Sequence, residues 1–402
     1  MVLEGFAGNE TTELTDVFMK IGIDIRCLIG GKRTGVEEYT LELLEHIFAL
    51  DRENEYVLFW SAWKLPACPL DWDRRFPNVR LVSLKIPNKL LNFCLWYFRF
   101  PYLDRLIGGA DLFFLPNLNF AAFSRDVRVV LTAHDVSFEC SPETFSWKRR
   151  LWHSFVNFRR LALRADRVIA VSHSTRDDLV ETIGVTPKLI RVIHSGISEQ
   201  FRRMDRNDAT LLEAKRRYGL PYRFILFVGT IEPRKNMLSL ARAFDALVAS
   251  GEALDYNLVI AGTNGWKYQD TLEAIDCLSS RSRIHFTGFV RDEDKPALYN
   301  LSSIFVFPSL YEGFGFPPLE AAACGVPVVT SNTSSFPETL GTGAVLVDPL
   351  RPDDMARALR ELLRDVSLRD EISRQGSACA AKFKWTDTAR KTLGVFRDVF
   401  RH

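Results

Sequence analysis

Two hydrophobic rhythms alternate along the chain. Short runs of apolar, β-branched and aromatic residues recur at 20–26, 56–60, 79–84, 111–115, 127–133, 167–171 and 189–193. They resume at 224–228, 258–261, 283–287, 304–307, 326–330 and 344–347. Between them lie stretches with apolar residues three and four apart, as in 36–50, where Val36, Tyr39, Leu43, Leu44 and Ile47 fall on one helical face. Similar helical stretches cover 172–183, 237–250, 317–323 and 353–366. Runs that are apolar throughout suit strands buried on both faces, and alternation with helices predicts parallel sheets. Residues 195–218 are charged and poor in strand formers, so they read as a linker and an opening helix. The fold class is therefore α/β, with two doubly wound, Rossmann-like domains facing a cleft. The expected divisions are a loose polar extension over 1–19, a first domain over 20–200 and a second over 201–380.

Local signals place helix ends. Ser174 or Thr175 is expected to cap 172–183, and Asn236 to cap 237–250. Pro317 and Pro318 suit a helix start, and Pro352-Asp353-Asp354 is a start signal.

Two stretches fit this scheme poorly. IPNKLLNFCLWYFRFPYLDR, residues 86–105, crowds Leu90, Leu91, Phe93, Leu95, Trp96, Tyr97, Phe98 and Phe100 among Lys89, Arg99 and Arg105. A buried helix ending before Pro101 is the favoured reading. An interfacial patch is the alternative. Residues 146–164 read as a basic, aromatic helix holding Trp147, Lys148, Arg149, Arg150, Trp152, Phe155, Arg159, Arg160 and Arg164. Such a run is usually a solvated face, but beside the first patch it favours peripheral contact with an anionic membrane.

Composition narrows the class. Hydrophobic content of 47%, charged content of 25% and a net charge of +2 describe a globular chain with no overall field for nucleic acid. The seven cysteines stand singly, with no zinc spacing, and read as reduced cytosolic thiols. No secretory signal or membrane span is evident, so the expected location is cytoplasmic, peripheral on the inner face of the membrane at most. The sequons at Asn9 and Asn332 are taken as chance.

The candidate chemistry lies at strand ends. FVFPSLYEGFGFPPLEAAACGVPVVTSNTSSFPE, residues 305–338, reads as strand, glycine loop, helix and strand. It holds Glu312 in the loop and Glu320 in the helix, beside Gly313 and Gly315. A helix N-terminus with glycine N–H groups suits phosphate, and carboxylates suit sugar hydroxyls. The other strand-end loops hold Gly30–Gly35, His134-Asp135, Gly229–Lys235, Gly262–Trp266 and Gly288–Arg291. Arg234 and Lys235 add cations. The set fits a nucleoside diphosphate carrying a sugar. GGKRTG is neither a P-loop nor GxGxxG. Asp71-Trp72-Asp73 is taken as a chance DxD, far from the donor loops.

Together, GIDIRCLIGGKRTGVEEYTLELL, TAHDVSF, VIAVSHSTRDDL, VIHSGI, FVGTIEPRKNM, IHFTGFV, YEGFGFPPLEA and GVPVVTSNTSSFPE resemble the family-4-type, retaining, GT-B-fold glycosyltransferases, in particular the bacterial mannosyltransferase branch. The resemblance implies transfer of a sugar, mannose from GDP-mannose first, to a lipid-linked or polysaccharide acceptor. It implies no metal and no cofactor beyond the nucleotide sugar. Glu312 with the Gly313, Phe314 and Gly315 backbone would hold the sugar hydroxyls and phosphate. Glu320 would hold the ribose. Arg234 and Lys235 would stabilise the departing diphosphate, and Phe289 and Val290 would lie against the base. Gly35 and Gly262 would border the donor, and His134 would sit at the reacting centre. Residues 381–402 would form a helix crossing back to the first domain. Thr230 stands where some members carry arginine, which shifts weight onto Arg234 and Lys235. The alternatives in the same fold are a nucleotide-sugar epimerase or phosphorylase, or a catalytically silent interaction subunit.

Overall fold

A computed structural model describes residues 18–30, 34–62, 71–140, 152, 155–253 and 255–401. Seven parallel strands form the first sheet: β1 (Lys20–Asp24), β2 (Glu55–Ser61), β3 (Val79–Leu84), β4 (Leu112–Leu115), β5 (Arg128–Ala133), β6 (Arg167–Ala170) and β7 (Ile190–Val192). Their spatial order is β3-β2-β1-β4-β5-β6-β7. Six more form the second: β8 (Phe224–Val228), β9 (Asn257–Ala261), β10 (Ile284–Gly288), β11 (Ile304–Phe307), β12 (Val328–Ser331) and β13 (Val345–Val347), ordered β10-β9-β8-β11-β12-β13. All pairings are parallel, with Ile304 opposite Ile225 and Ile23 opposite both Leu58 and Phe114. The central strands β8 (FILFV) and β11 (IFVF) are buried at every position, as a sheet covered on both faces requires.

In each sheet the strand order reverses once, between β1 and β4 and between β8 and β11. Loops leaving the carboxyl ends of such a pair diverge and leave a crevice. The two crevices face each other. The chain passes between domains twice, side by side. Ile197 N donates to Phe383 O at 3.0 Å, and a Cβ on Gly196 would sit 2.2 Å from Trp385 N, so only glycine lets the crossings touch. Helix Trp385–Arg401 then buries Trp385, Ala389, Leu393, Phe396 and Val399, at helical spacing, against helix Gly35–Leu50 and β4. One apolar core thus runs from the helix-covered face of the first sheet through Trp385 into the second domain. A separate core covers the other face of the first sheet, with Val57, Phe113, Leu131 and Val168 at its centre.

Several local expectations are corrected. Ser172, not Ser174 or Thr175, caps helix His173–Asp178, its Oγ accepting from Thr175 N at 3.0 Å. Extended backbone at Ser172 lets its side chain reach back, as capping requires. Asn236 stands before helix Met237–Ala249 in a left-handed conformation and does not cap it. Its Oδ1 accepts from Ser239 Oγ instead. The basic helix expected over 146–164 is interrupted at left-handed Asn157, whose side chain caps a separate helix, Phe158–Arg164. Trp147, Lys148, Arg149 and Arg150 lie outside the described residues.

The largest correction concerns 86–105. Helix Asn88–Tyr97 buries only Leu91 and Leu95. Leu90, Phe93, Trp96, Tyr97, Phe98 and Phe100 are exposed. A short helix end with apolar residues on all sides has more apolar surface than one neighbour can cover. Asp71 and Asp73 flank buried Trp72, whose Nε1 donates to Glu45, and Asp71 pairs with Arg75, so the DxD belongs to a surface turn.

Candidate functional site

The crevice between β8 and β11 collects the charged residues. Pro233–Lys235 forms a single tight turn after β8, which presents Arg234 and Lys235 toward the loop after β11. Leu310 N donates to Arg234 O at 2.8 Å and fastens the two loops. Lys235 Nζ pairs with Glu312 Oε1, and Arg234 Nη1 lies 3.1 Å from Glu312 Oε2. Ser309 Oγ donates to Glu312 Oε1 at 2.8 Å. Arg234 also holds Tyr311 O at 2.5 Å and Glu232 Oε1 at 3.0 Å. Its Nε is buried with no partner among the described residues.

Burial by itself would push the Glu312 carboxyl up. The charges of Arg234 and Lys235 outweigh it and hold the pKa at about 2. Burial and the Arg234 charge push Lys235 down, against the pull of Glu312. Burial also opposes the Arg234 charge, but Glu312 and Glu232 outweigh it and push its pKa up. Glu232 itself is pushed up by burial. The corner is a half-buried, cation-rich pocket in which Glu312 is the firmly ionised carboxylate and Glu232 a second acid paired with Arg234.

The first domain meets this corner through His134, which follows β5. Its Nε2 donates to Pro116 O at 2.8 Å, and the Tyr39 ring stands edge-on at 4.6 Å. Burial lowers its pKa, so the imidazole is neutral and Nδ1 keeps a free lone pair. A Cβ on Gly313 would fall 1.6 Å from His134 O, so glycine is what lets the two backbones touch across the cleft. Thr175 Oγ1 donates to Gly313 O at 3.3 Å. Gly35 opens helix Gly35–Leu50 opposite Phe316, 3.5 Å from where its Cβ would be. Gly315 has φ +85° and faces Phe336 closely. Phe314 turns away and is buried against His194, Phe316 and Phe383, so only its backbone borders the loop.

Glu320 lies one helical segment away, on Phe316–Ala323. It is buried and accepts from Tyr299 O–H at 2.7 Å. Burial pushes its pKa up to about 7, with Lys295 only partly offsetting it. Gly262, at φ +150°, packs so close to Gly229 that a Cβ would fall 2.0 Å from Gly229 O, and its N–H donates to Gly288 O at 2.9 Å. Those contacts tie the loops after β8, β9 and β10 into one rim. On that rim Val290 is buried, whereas Phe289 projects into solvent at 68% exposure.

The structure also joins residues that the sequence left unassigned. Glu338, on helix Phe336–Thr339, accepts from His173 N at 2.9 Å, Ser174 N at 3.2 Å and His194 Nε2 at 2.9 Å. Tyr311 O–H donates to Asp178 across the same seam. Glu338 had a visible signal, an acid in the first turn of a Pro-started helix. Its partners are more than 140 residues away in the chain, so spacing could not reveal them.

Comparison with known proteins agrees with this geometry. The family model described as Glycosyltransferase Family 4 matches residues 33–201, and that described as Glycosyl transferases group 1 matches residues 212–378. The chain is 29% identical over 382 residues to O-antigen chain mannosyltransferase B of Escherichia coli, covering 90% of this chain and 96% of that protein. It is 37% identical over 239 residues to the serotype-specific mannosyltransferase WbdA of Escherichia coli, covering 58% of this chain but only 29% of that protein. Among solved structures, Anabaena Alr3699/HepE in complex with UDP and glucose superposes with a TM-score of 0.72 at 20% identity, over 94% of this chain and 99% of that one. WaaG, a glycosyltransferase involved in lipopolysaccharide biosynthesis, superposes at 0.69 and 16% identity, over 93% and 99%. With a family model on each domain and the fold shared end to end, the chain belongs to the family-4 glycosyltransferases and is a sugar-transferring enzyme of the GT-B fold.

Proposed function

We propose that this glycosyltransferase moves a mannosyl group from GDP-mannose to a glycan or lipid-linked acceptor, with retention of configuration. The names of two relatives support the choice of mannose. The observation that carries the site assignment is the Arg234–Lys235 pair, half-buried against Glu312, with an Arg234 Nε that has no partner among the described residues. In this reading the donor diphosphate lies against those cations, with Gly262 and Val290 bordering the nucleotide and Gly35 opposite the phosphates. Glu320 takes the ribose hydroxyls. Glu312 and the Gly313–Gly315 backbone position the sugar, and neutral His134 offers Nδ1 to a sugar hydroxyl.

The bond from the anomeric carbon to the phosphate oxygen breaks and leaves an oxocarbenium-like centre. Charge grows on the leaving diphosphate, where Arg234 and Lys235 stabilise it in place. Preorganised charge of this kind is usually the largest catalytic effect. The acceptor oxygen bonds to the anomeric carbon from the same face, and its proton passes to the departing phosphate oxygen. Glu312, held ionised near pKa 2 by two cations, is a poor nucleophile and a good positioning group. Contact between Gly313 and His134 closes the cleft against water and limits donor hydrolysis. This scheme uses no metal.

Lys235→Ala or Glu312→Ala is expected to lower transfer by roughly a hundred- to a thousandfold with the fold retained. Unchanged turnover in either variant overturns the assignment. A thermal-shift panel of GDP, UDP and ADP, followed by transfer assays with the matching sugars, tests the donor. A preference for UDP would replace GDP-mannose.

A further inference from the structure

The first domain carries a second feature that sugar transfer does not explain. Helix Asn88–Tyr97 is fixed to the carboxyl end of β1 by Arg26. That guanidinium is buried, pairs with Asp24 at 2.6 Å, and donates to Asn92 Oδ1 at 3.1 Å and Phe120 O at 2.6 Å. The loop that supplies Phe120 O begins at Pro116, which holds His134. The helix therefore sits on the same rim as the candidate site.

Beyond this anchor the helix ends in an aromatic ridge. Phe93 and Tyr97 stack with planes 3° apart, and Phe98 stands edge-on to Tyr97 at 4.9 Å. Tyr97, Phe98 and Phe100 are each more than 60% exposed. A contiguous ridge of this size is costly in water and marks a binding surface. Behind it lies a cavity of about 220 Å³, walled by Trp96, Phe120, Phe123 and Phe155. Arg99, Arg160 and Arg164 also line it, and no acidic residue does among the described residues. Arg164 is engaged with Ser124 O, Val127 O and Asp166. The Arg99 and Arg160 guanidinium groups have no ion-pair or hydrogen-bond partner among the described residues. They stand near enough to repel, and burial together with the Arg99 charge lowers the Arg160 pKa. Arg99 is held at φ +55°, a conformation that costs a non-glycine residue free energy and persists where it serves a site.

We propose that this cavity and ridge form a docking site for an anionic phospholipid bilayer. A lipid phosphate is held between Arg99 and Arg160, and the ring edges of Phe93, Tyr97, Phe98 and Phe100 enter the interfacial layer. Two unpaired guanidinium groups ask for an anion, and the aromatic walls ask for an acyl-bearing one rather than a free ion. Aromatic side chains prefer the headgroup depth, and basic residues add affinity for anionic leaflets. Docked in this way, the enzyme turns the His134 side of its cleft toward the membrane.

The test is co-sedimentation of the full chain with vesicles of equimolar phosphatidylglycerol and phosphatidylcholine, and with phosphatidylcholine alone. No transfer is read, so failure here leaves the donor-site reading untouched. Binding is expected only with the anionic vesicles, weakened about thirtyfold in Arg99→Gln/Arg160→Gln, as loss of two membrane-facing cations implies. Trp96→Ser/Phe98→Ser is expected to weaken it as well. Circular dichroism and the thermal shift with a nucleoside diphosphate establish that the variants are folded. Equal binding to both vesicles, or no change in the arginine variant, overturns the proposal. So does a dimer in sedimentation velocity that the aromatic variant dissociates, with no vesicle binding, since the ridge would then join two copies of the chain.

Discussion

Glu312 and Glu320 stand eight positions apart and are both enclosed by protein, yet their environments push them in opposite directions. Glu312 lies between two cations and stays ionised down to about pH 2. Glu320 receives one tyrosine hydroxyl and a more distant lysine charge, and burial prevails, raising it to about 7. Desolvation acts on both. What differs is the number of opposite charges within contact range. The loop carboxylate is therefore a fixed charge, and the helix carboxylate is one that a ligand can shift.

The largest effect expected of breaking this contrast is at Glu312. Glu312→Gln removes the carboxylate that Arg234 and Lys235 share and leaves them facing each other with only Glu232, which pairs with Arg234, beside them. It should cost about 4 kcal/mol at neutral pH by chemical denaturation. The sign follows from the depressed pKa. The Glu312 contribution is complete above about pH 4.5, its ordinary value, and is lost as pH falls toward 2. The gap between wild type and variant should therefore close in acid, and a gap constant with pH would contradict the ion-pair reading.

Next is Glu320, with the opposite sign. Its raised pKa means the wild type loses stability as pH rises from about 4.5 to 7, with a plateau above. Glu320→Gln keeps an acceptor for Tyr299, so it should be up to roughly 3 kcal/mol more stable than wild type above pH 7 and nearly equal near pH 4. If the ribose hydroxyls bind the ionised form, nucleoside diphosphate affinity of the wild type should rise through pH 7, and the glutamine variant should show less of this rise. Calorimetric titration at pH 6 and pH 8 separates the two.

The smallest effect is at the control position, Glu338, a third carboxylate outside both pockets. Its pKa is lowered because His194 and two backbone N–H groups outweigh burial. Glu338→Gln should cost about 2 kcal/mol, the scale of hydrogen bonds to a charged group. It should change the spacing of the two domains in small-angle scattering more than it changes nucleotide binding. An effect on nucleotide binding as large as that of Lys235→Ala would mean that the seam and the donor pocket are one unit.

Much of the fold was legible because fully buried parallel strands are apolar along their whole length. The runs at 224–228 and 304–307 coincide with β8 and β11 at both ends. Helix starts were less legible. Ser172, Ser174 and Thr175 are all competent caps, and the choice depends on which backbone is extended where the strand ends. Residues 86–105 were misjudged as buried because an apolar count does not say how much partner surface exists. The core on that face of the first sheet takes in Leu91 and Leu95 and leaves the rings outside. Phe289 and Val290, adjacent in the chain, separate into exposed and buried for the same reason.

By itself the sequence determined the alternation of strands and helices, the two-domain plan, and which loops end at the carboxyl edges of the sheets, because these follow from local periodicity and turn chemistry. Tertiary structure alone decided which of those loops touch. It set Lys235 against Glu312, Gly313 against His134, and Glu338 against His194, across separations of 77 to 179 residues. Such contacts depend on strand order and on the angle between two domains, which no short-range pattern encodes. The opposite behaviour of Glu312 and Glu320 depends on them too, since the charge that each carboxylate feels comes from a neighbour in space.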